Sequence, residues 1–166
     1  MQMETLASSK ATNYDRQALG KIYEKHSPGI YRYAYRLLGD QDLAEECVAE
    51  TFSRFLQMLR SGGAAENVQA YLYRVAHNWV TDSYRRQARF DDLDAEMHGD
   101  PLENPAYVAA ENLEQERVRS ALSRLPAEQR MVIALRYLEE RSHEEVAEAL
   151  GKTGEASRAL QHRAIA

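Results

Sequence analysis

Residues 142–163, SHEEVAEALGKTGEASRALQHR, decide the reading of the chain. Ser142 followed three residues later by Glu145 has the form of a capping box, which marks a helix start. Val146, Ala147 and Leu150 give that helix one apolar stripe. Gly151 comes next, where a chain leaving a helix often needs a left-handed residue. Thr153 can cap a second helix, whose inner face carries Ala156, Leu160 and Ala164 at every fourth position. Small Ala147 before the glycine and Leu160 after it let two short helices cross steeply, as in a helix-turn-helix. Lys152, Glu155, Arg158, Gln161, His162 and Arg163 point outward, and such side chains reach phosphates and base edges. The same pattern also occurs in proteins that never touch DNA. Ser157 stands where the inner face usually carries Val or Ile, so either the packing there is loose or the helix is rotated.

Composition narrows the alternatives. A chain of 166 residues fits one or two small domains. With 44% hydrophobic residues and only 4 prolines it suits a helical globular protein. The single cysteine, Cys47, excludes an internal disulfide framework and a zinc set, and points to an intracellular, cytoplasmic protein. No apolar run approaches the ~20 residues of a membrane span, and MQMETLASSK lacks the apolar core of a signal peptide. There is no Gly-rich phosphate loop and no G-x-S-x-G, and His143-Glu144 lacks the second histidine of a zinc-protease motif. An enzyme, a metal or another cofactor is therefore not expected. The formal charge of −5 looks wrong for a DNA binder. Residues 91–116, however, hold nine acidic residues and no Lys or Arg, so the remainder of the chain is +4. Segregated charge permits local basic surfaces on an acidic protein.

Taken in order, the chain predicts an all-α protein with two small helical domains, 14–89 and 112–166, joined by an acidic linker over 90–111. Residues 1–13 are polar and read as mobile. Asp15 starts a short helix through Leu19 and Ile22 to about His26. Ser27-Pro28 then opens another, with Ile30, Tyr33, Ala34 and Leu37 inside and Gly39 as its stop. Tyr31, Arg32, Tyr35 and Arg36 fall on the surface. The helix at 42–60 buries Val48, Phe52, Phe55, Leu56 and Leu59, with Cys47 beside them as a small core residue. Asp42, Glu45, Glu46 and Glu50 crowd its first half, as compensation for the helix dipole or as a face for a basic partner. Residues 61–69 read as a loop. The helix at 70–89 buries Leu72, Val75, Ala76, Trp79 and Ser83. Tyr71, Tyr73, Tyr84 and the arginines 74, 85, 86 and 89 lie elsewhere on it. Basic residues among aromatics suit single-stranded nucleic acid, although tyrosines can equally be core. Leu113, Val118, Ala121, Leu122 and Leu125 make the inner face of a further helix. Pro126 opens the next, with Met131, Val132, Leu135 and Leu138 inside.

Three motifs in this order resemble the extracytoplasmic-function (ECF) group of bacterial RNA polymerase sigma factors, over about residues 18–166. DLAEECVAETF at 42–52 is similar to the family's D-A-E-D-x-x-Q-E-T-F. YLYRVAHNWVTDSYRR at 71–86 is similar to W-L-x-x-I-A-R-N-x-x-x-D-x-x-R-R. LPAEQRMVIALRY at 125–137 is similar to L-P-x-x-x-R-x-V-x-x-L-R-Y before the helix-turn-helix. The departures are Tyr71 for Trp, His77 for Arg, Ala49 for Gln and Ser157 for Val or Ile. His77 removes a fixed charge and puts one DNA or core contact in doubt. The chain also ends earlier than the family's last helix usually does, which implies reduced DNA affinity.

The resemblance implies a mechanism without catalysis. Asp42, Glu45, Glu46 and Glu50 would dock on the largest subunits of core RNA polymerase. Asn78, Asp82, Arg85, Arg86 and Arg89, with loop 61–69 pocketing an extruded base, would hold the melted −10 element of promoter DNA. Arg158, Gln161 and His162 would read base edges of the −35 element, and Lys152 and Arg163 would contact phosphates. The acidic linker would lie in a basic channel of the polymerase. An anti-sigma factor is the implied regulator. Two alternatives stand beside this reading. A two-domain helix-turn-helix regulator would carry a ligand pocket or phosphoacceptor in 14–89. A pure interaction module would leave the last helix unexplained.

Overall fold

The computed structural model describes residues 15–94 and 109–166. Among these residues the ordered elements are seven α-helices and one π-helical turn. Helix α1 spans Arg16–Leu38, and its N-cap is Asp15, whose carboxylate accepts from the Ala18 N–H at 2.7 Å. The break expected at Ser27-Pro28 does not occur, and Pro28 lies inside one continuous helix. Leu19 and Ile22 before it and Ile30 and Leu37 after it all pack on the core. That shared burial outweighs the backbone hydrogen bond a mid-helix proline forfeits. Gly39, at φ 70°, ends the helix in the left-handed conformation that glycine takes without steric cost. Asp40 then caps helix α2, Gln41–Arg60, by accepting from Leu43 N–H at 3.0 Å.

Helix α3 runs Val68–Asp94, longer than the 70–89 expected. The first part of the anticipated linker is thus helical, and helix α4, Ala109–Arg124, takes up its last residues. The rest of the acidic linker and residues 1–13 lie outside the described residues. Tyr33, Phe55, Ile30, Leu37, Leu72 and Val80 are the large, fully buried side chains of the N-terminal unit, and Cys47 is a small one. Burial raises the Cys47 thiol pKa to about 12, so it is a packing group and not a nucleophile.

The C-terminal unit has a smaller core. Helix α5, Ala127–Ile133, passes into a π turn over Ala134–Leu138, which the sequence did not announce. Helices α6, His143–Leu150, and α7, Gly154–Ile165, form the helix-turn-helix. Its capping box, the left-handed Gly151 at φ 71° and the Thr153 cap are present as expected. Met131, Val132, Leu135, Val146 and Leu160 fill the interior. The inner face expected for α4 is corrected. Leu113, Val118 and Ala121 are exposed, and Leu122 alone of that stripe is buried. The two units touch: α3 lies along α6, and α1 lies against α4 and the π turn.

Candidate nucleic-acid and polymerase interfaces

Helix α2 presents Asp42, Glu45 and Glu46 to solvent, with Glu50 half-buried. Their spacing keeps them on one side of the helix, because Ala44, Cys47, Val48 and Thr51 turn inward. Glu50 is paired with Arg54 at 3.0 Å, and Glu45 accepts from Gln41 at 3.5 Å. Alongside runs an open groove of about 550 Å³ lined by Tyr23, Tyr31, Tyr35 and Val48. The rings of Tyr31 and Tyr35 stack at 6.0 Å.

Helix α3 carries Asn78, Asp82, Arg85 and Arg89 at steps of four, three and four, which puts them in one exposed stripe. Asp82 and Arg85 pair loosely at 3.7 Å while both stay exposed. Arg86 stands off this line with its guanidinium 5.6 Å from the Trp79 ring centre. Trp79 itself is core, as expected. The aromatic part of the reading is corrected. Tyr73 is 4% exposed, and the Tyr84 hydroxyl donates to the Leu37 carbonyl under the Arg130 guanidinium. Of the three tyrosines singled out here, Tyr71 and Tyr84 are partly exposed, and Tyr71 leans on Phe55. His77 is buried, with Nδ1 3.3 Å from the Tyr33 hydroxyl. Burial, and then the Arg130 charge, push its pKa down to about 4. It is a neutral core residue.

The loop before α3 and the first turns of that helix enclose a cleft of about 730 Å³, lined by Ala64, Ala65, Glu66, Asn67, Tyr71 and Arg74. Glu148 of α6 closes one side. Sequence reasoning missed Asn67 and Glu148 in this place. Arg74 was legible, since it lies one turn before Asn78 on the same stripe.

On α7, Arg158, His162 and Arg163 are exposed. Arg158 lies 3.7 Å from Glu144. Lys152, at the turn, pairs with Glu128 at 3.0 Å. Gln161 is placed differently from its neighbours. It is half-buried, its amide nitrogen donates to the Tyr137 hydroxyl at 2.8 Å, and its oxygen is buried without a partner. Ser157 is 0% exposed, so it faces the core and the helix is not rotated. Its hydroxyl has no hydrogen-bond partner. No group of three or more His, Cys, Asp or Glu able to hold a metal occurs among the described residues. No helix among them is long and apolar enough to cross a membrane.

An acidic helix face, a basic stripe beside a cleft and an exposed final helix are the surface features of an all-α, helix-turn-helix protein. Comparison with known proteins makes the class specific. The Sigma-70 region 2 family model matches residues 22–90, and Sigma-70 region 4 matches residues 121–166. The ECF RNA polymerase sigma factor SigL of Mycobacterium tuberculosis is 34% identical over 78% of this chain and 75% of that protein. The ECF RNA polymerase sigma factor BldN of Streptomyces coelicolor is 29% identical over 98% of this chain, which spans 62% of its length. The chain belongs to the ECF RNA polymerase sigma factors. In fold it is similar to CnrH, solved with the cytosolic domain of CnrY, at TM-score 0.66 and 23% identity over 96% of this chain and 90% of that one. It is also similar to the sigma factor RpoE of Bartonella quintana, solved with the anti-sigma factor NepR, at TM-score 0.60 and 20% identity over 88% of this chain and 91% of that one.

Proposed function

We propose that the chain is an alternative sigma factor that binds core RNA polymerase and directs it to a set of promoters. Residues 14–89 dock on the polymerase and hold the −10 element, 90–111 link, and 112–166 read the −35 element. The observation that carries this reading is two separate exposed cationic faces on one chain. One is the α3 stripe beside a cleft, and the other is the outer face of α7. Asp42, Glu45, Glu46 and Glu50 form the polymerase face. Asp42, Glu45 and Glu46 stand proud of the core on one side of α2, with Glu50 half-buried beside them, where a partner helix bearing Lys and Arg can pair with them.

At the −10 element, Arg85, Arg86 and Arg89 neutralise the backbone of the separated strand, and Asn78 and Asp82 supply hydrogen bonds. The cleft takes an extruded base. Extrusion costs a few kcal/mol, and stacking together with phosphate contacts offsets it. Tyr71, partly exposed, is the ring at that place. At the −35 element, Arg158 and His162 face base edges in the major groove, while Lys152 and Arg163 meet phosphates. Gln161 reaches a base only if it leaves Tyr137. The chain binds, positions and separates DNA and performs no covalent step. It works in the cytoplasm, where the polymerase is, and an anti-sigma factor holds it in reserve.

The test is co-elution of the chain with bacterial core RNA polymerase on size exclusion, with Asp42, Glu46 and Glu50 reversed to Lys as the control. Co-elution that the reversal abolishes is the expected result. Failure to bind core, with duplex DNA still bound, would overturn the reading in favour of a two-domain regulator.

A further inference from the structure

Tyr137 lies in the π turn over Ala134–Leu138, just ahead of the helix-turn-helix. The turn closes with Glu139 N–H on the Ala134 carbonyl at 3.1 Å, five residues back instead of the four of an α-helix. Single π turns are rare and frequently sit at functional sites. Leu135 and Glu139, on either side, face inward, whereas the Tyr137 ring is 54% exposed. It is not among the residues packed on the hydrophobic core. Core packing therefore does not account for a large aromatic side chain at this position.

Its hydroxyl is engaged with α7. Gln161 Nε2 donates to Tyr137 Oη at 2.8 Å, across 24 residues of chain. Gln161 sits at the edge of the outer face of α7, between Leu160, which faces the core, and His162, which is exposed. The other end of its amide, Oε1, is buried without a partner. A glutamine reads adenine with both ends of the amide at once, accepting from N6 and donating to N7. In the observed side-chain position the nitrogen is committed to Tyr137 and the oxygen is covered. Burying that oxygen unpaired is unfavourable, so the Tyr137 bond is the polar contact that favours this position. Arg158 and His162 are exposed beside it and need no such release.

We infer that Tyr137 is a positioning residue for α7: its hydroxyl holds the Gln161 amide away from base edges and so sets how strongly the helix selects adenine at one base step. The inference rests on the reading of α7 as the −35 reader. Gln161 must leave Tyr137 before it can grip a base. The affinity for a duplex with adenine at that step is therefore lowered by the fraction of chains in which the amide is held. One hydrogen bond of this kind shifts such a fraction by about two- to tenfold. A duplex without adenine there does not draw the amide out, and its affinity is independent of Tyr137.

The experiment removes the hydroxyl and keeps the ring. The full chain and its Tyr137→Phe variant are each incubated with duplex DNA randomised across the −35 element, and the bound pools are sequenced. Tyr137→Phe is expected to raise the preference for adenine at one step by about two- to tenfold and to leave the other steps unchanged. In a Gln161→Ala background the same substitution is expected to change no preference, because no amide is left to release. A purely structural role for Tyr137 would shift every duplex alike and would not depend on Gln161. Equal adenine preference in Tyr137→Phe and the unaltered chain, with other steps still selected, overturns the positioning role and leaves α7 as the reader. A change that persists without Gln161 overturns it as well. Pools without base preference at any step, for all of these chains, remove the −35 reading of α7 and the inference with it.

Discussion

The N-terminal and C-terminal units bury different chemistry. Helices α1–α3 close around large apolar side chains, Tyr33, Phe55, Ile30, Leu37 and Leu72, and the polar groups they bury, Thr51, His77 and Ser83, are small or neutral. The C-terminal unit packs Met131, Val132, Leu135, Val146 and Leu160, and buries Arg130, Glu139 and Ser157 with them. Its two charged groups find their partners on α1 and α3. The N-terminal unit is a platform that buries its large side chains among its own helices. The other unit shares an apolar core with that platform and places its buried charges against it.

The contrast is largest at the two cores. Phe55 is 1% exposed. Phe55→Ala is expected to cost about 3–5 kcal/mol, as large-to-small changes in a closed core do. Leu135→Ala in the C-terminal unit is expected to cost less, because a looser and more polar surround collapses into the space. Urea unfolding followed by circular dichroism measures both. A larger loss for Leu135→Ala would end the platform argument.

The next effect concerns the platform's buried histidine. Burial holds His77 neutral in the fold, with its pKa lowered from 6.5 to about 4. The unfolded chain takes up a proton below about pH 6.5, and the folded chain does so only near 4. Stability is therefore full above pH 6.5 and falls as the pH drops from 6.5 to 4. A shift of this size corresponds to about 3 kcal/mol. His77→Gln, which keeps a hydrogen-bond partner near Tyr33, is expected to flatten that part of the profile. A difference between variant and parent that does not change with pH would show that another group carries the acid sensitivity.

His77 also shows where the sequence stops being legible. Local signals survive folding: the Asp15, Ser142 and Thr153 caps and the left-handed Gly39 and Gly151 are all in place. They depend only on neighbours within a turn. The acidic face of α2 and most of the α3 stripe were also legible, because helical period sorts inside from outside. What failed depends on distant partners. Glu139 reads as an ordinary charge at a helix end, and only Arg32, 107 residues away, makes it a buried group. Tyr73 looks like a base-stacking ring until Tyr33 packs edge-on against it at 5.5 Å. Leu113 and Val118 are apolar positions of their helix, yet neither is buried. Pro28 reads as a start because its local preference is real, and the packing on either side overrides it.

The C-terminal unit's function is tested on its exposed face. Arg158 is the strongest candidate there for reading a base, and its side chain is 55% exposed with only a loose pairing to Glu144. Arg158→Ala is expected to weaken binding to a duplex −35 element by roughly 1–3 kcal/mol and to relax discrimination at one base step. Fluorescence anisotropy across single-base variants of the duplex measures this. A uniform loss across all variants would make Arg158 a phosphate contact and move the reading role to His162.

The smallest effect asks whether the C-terminal unit's polar burial is a cost or a fit. Ser157 lies on the inner face of α7, and its hydroxyl is buried without a hydrogen-bond partner. An unsatisfied buried hydroxyl costs about 1–3 kcal/mol, so Ser157→Ala is expected to raise stability by about 1 kcal/mol. Alanine also has a higher helix propensity than serine, by a few tenths of a kcal/mol. Ser53→Ala, at an exposed position of α2, measures that contribution alone. The gain at 157 must exceed the gain at 53 if the hydroxyl is unpaired. Duplex binding should be unchanged, since the side chain points away from the reading face. A loss of stability at 157 would mean that the hydroxyl is satisfied within the folded unit. The C-terminal core would then be as well matched as the N-terminal one, and the contrast between them would rest on Arg130 and Glu139 alone.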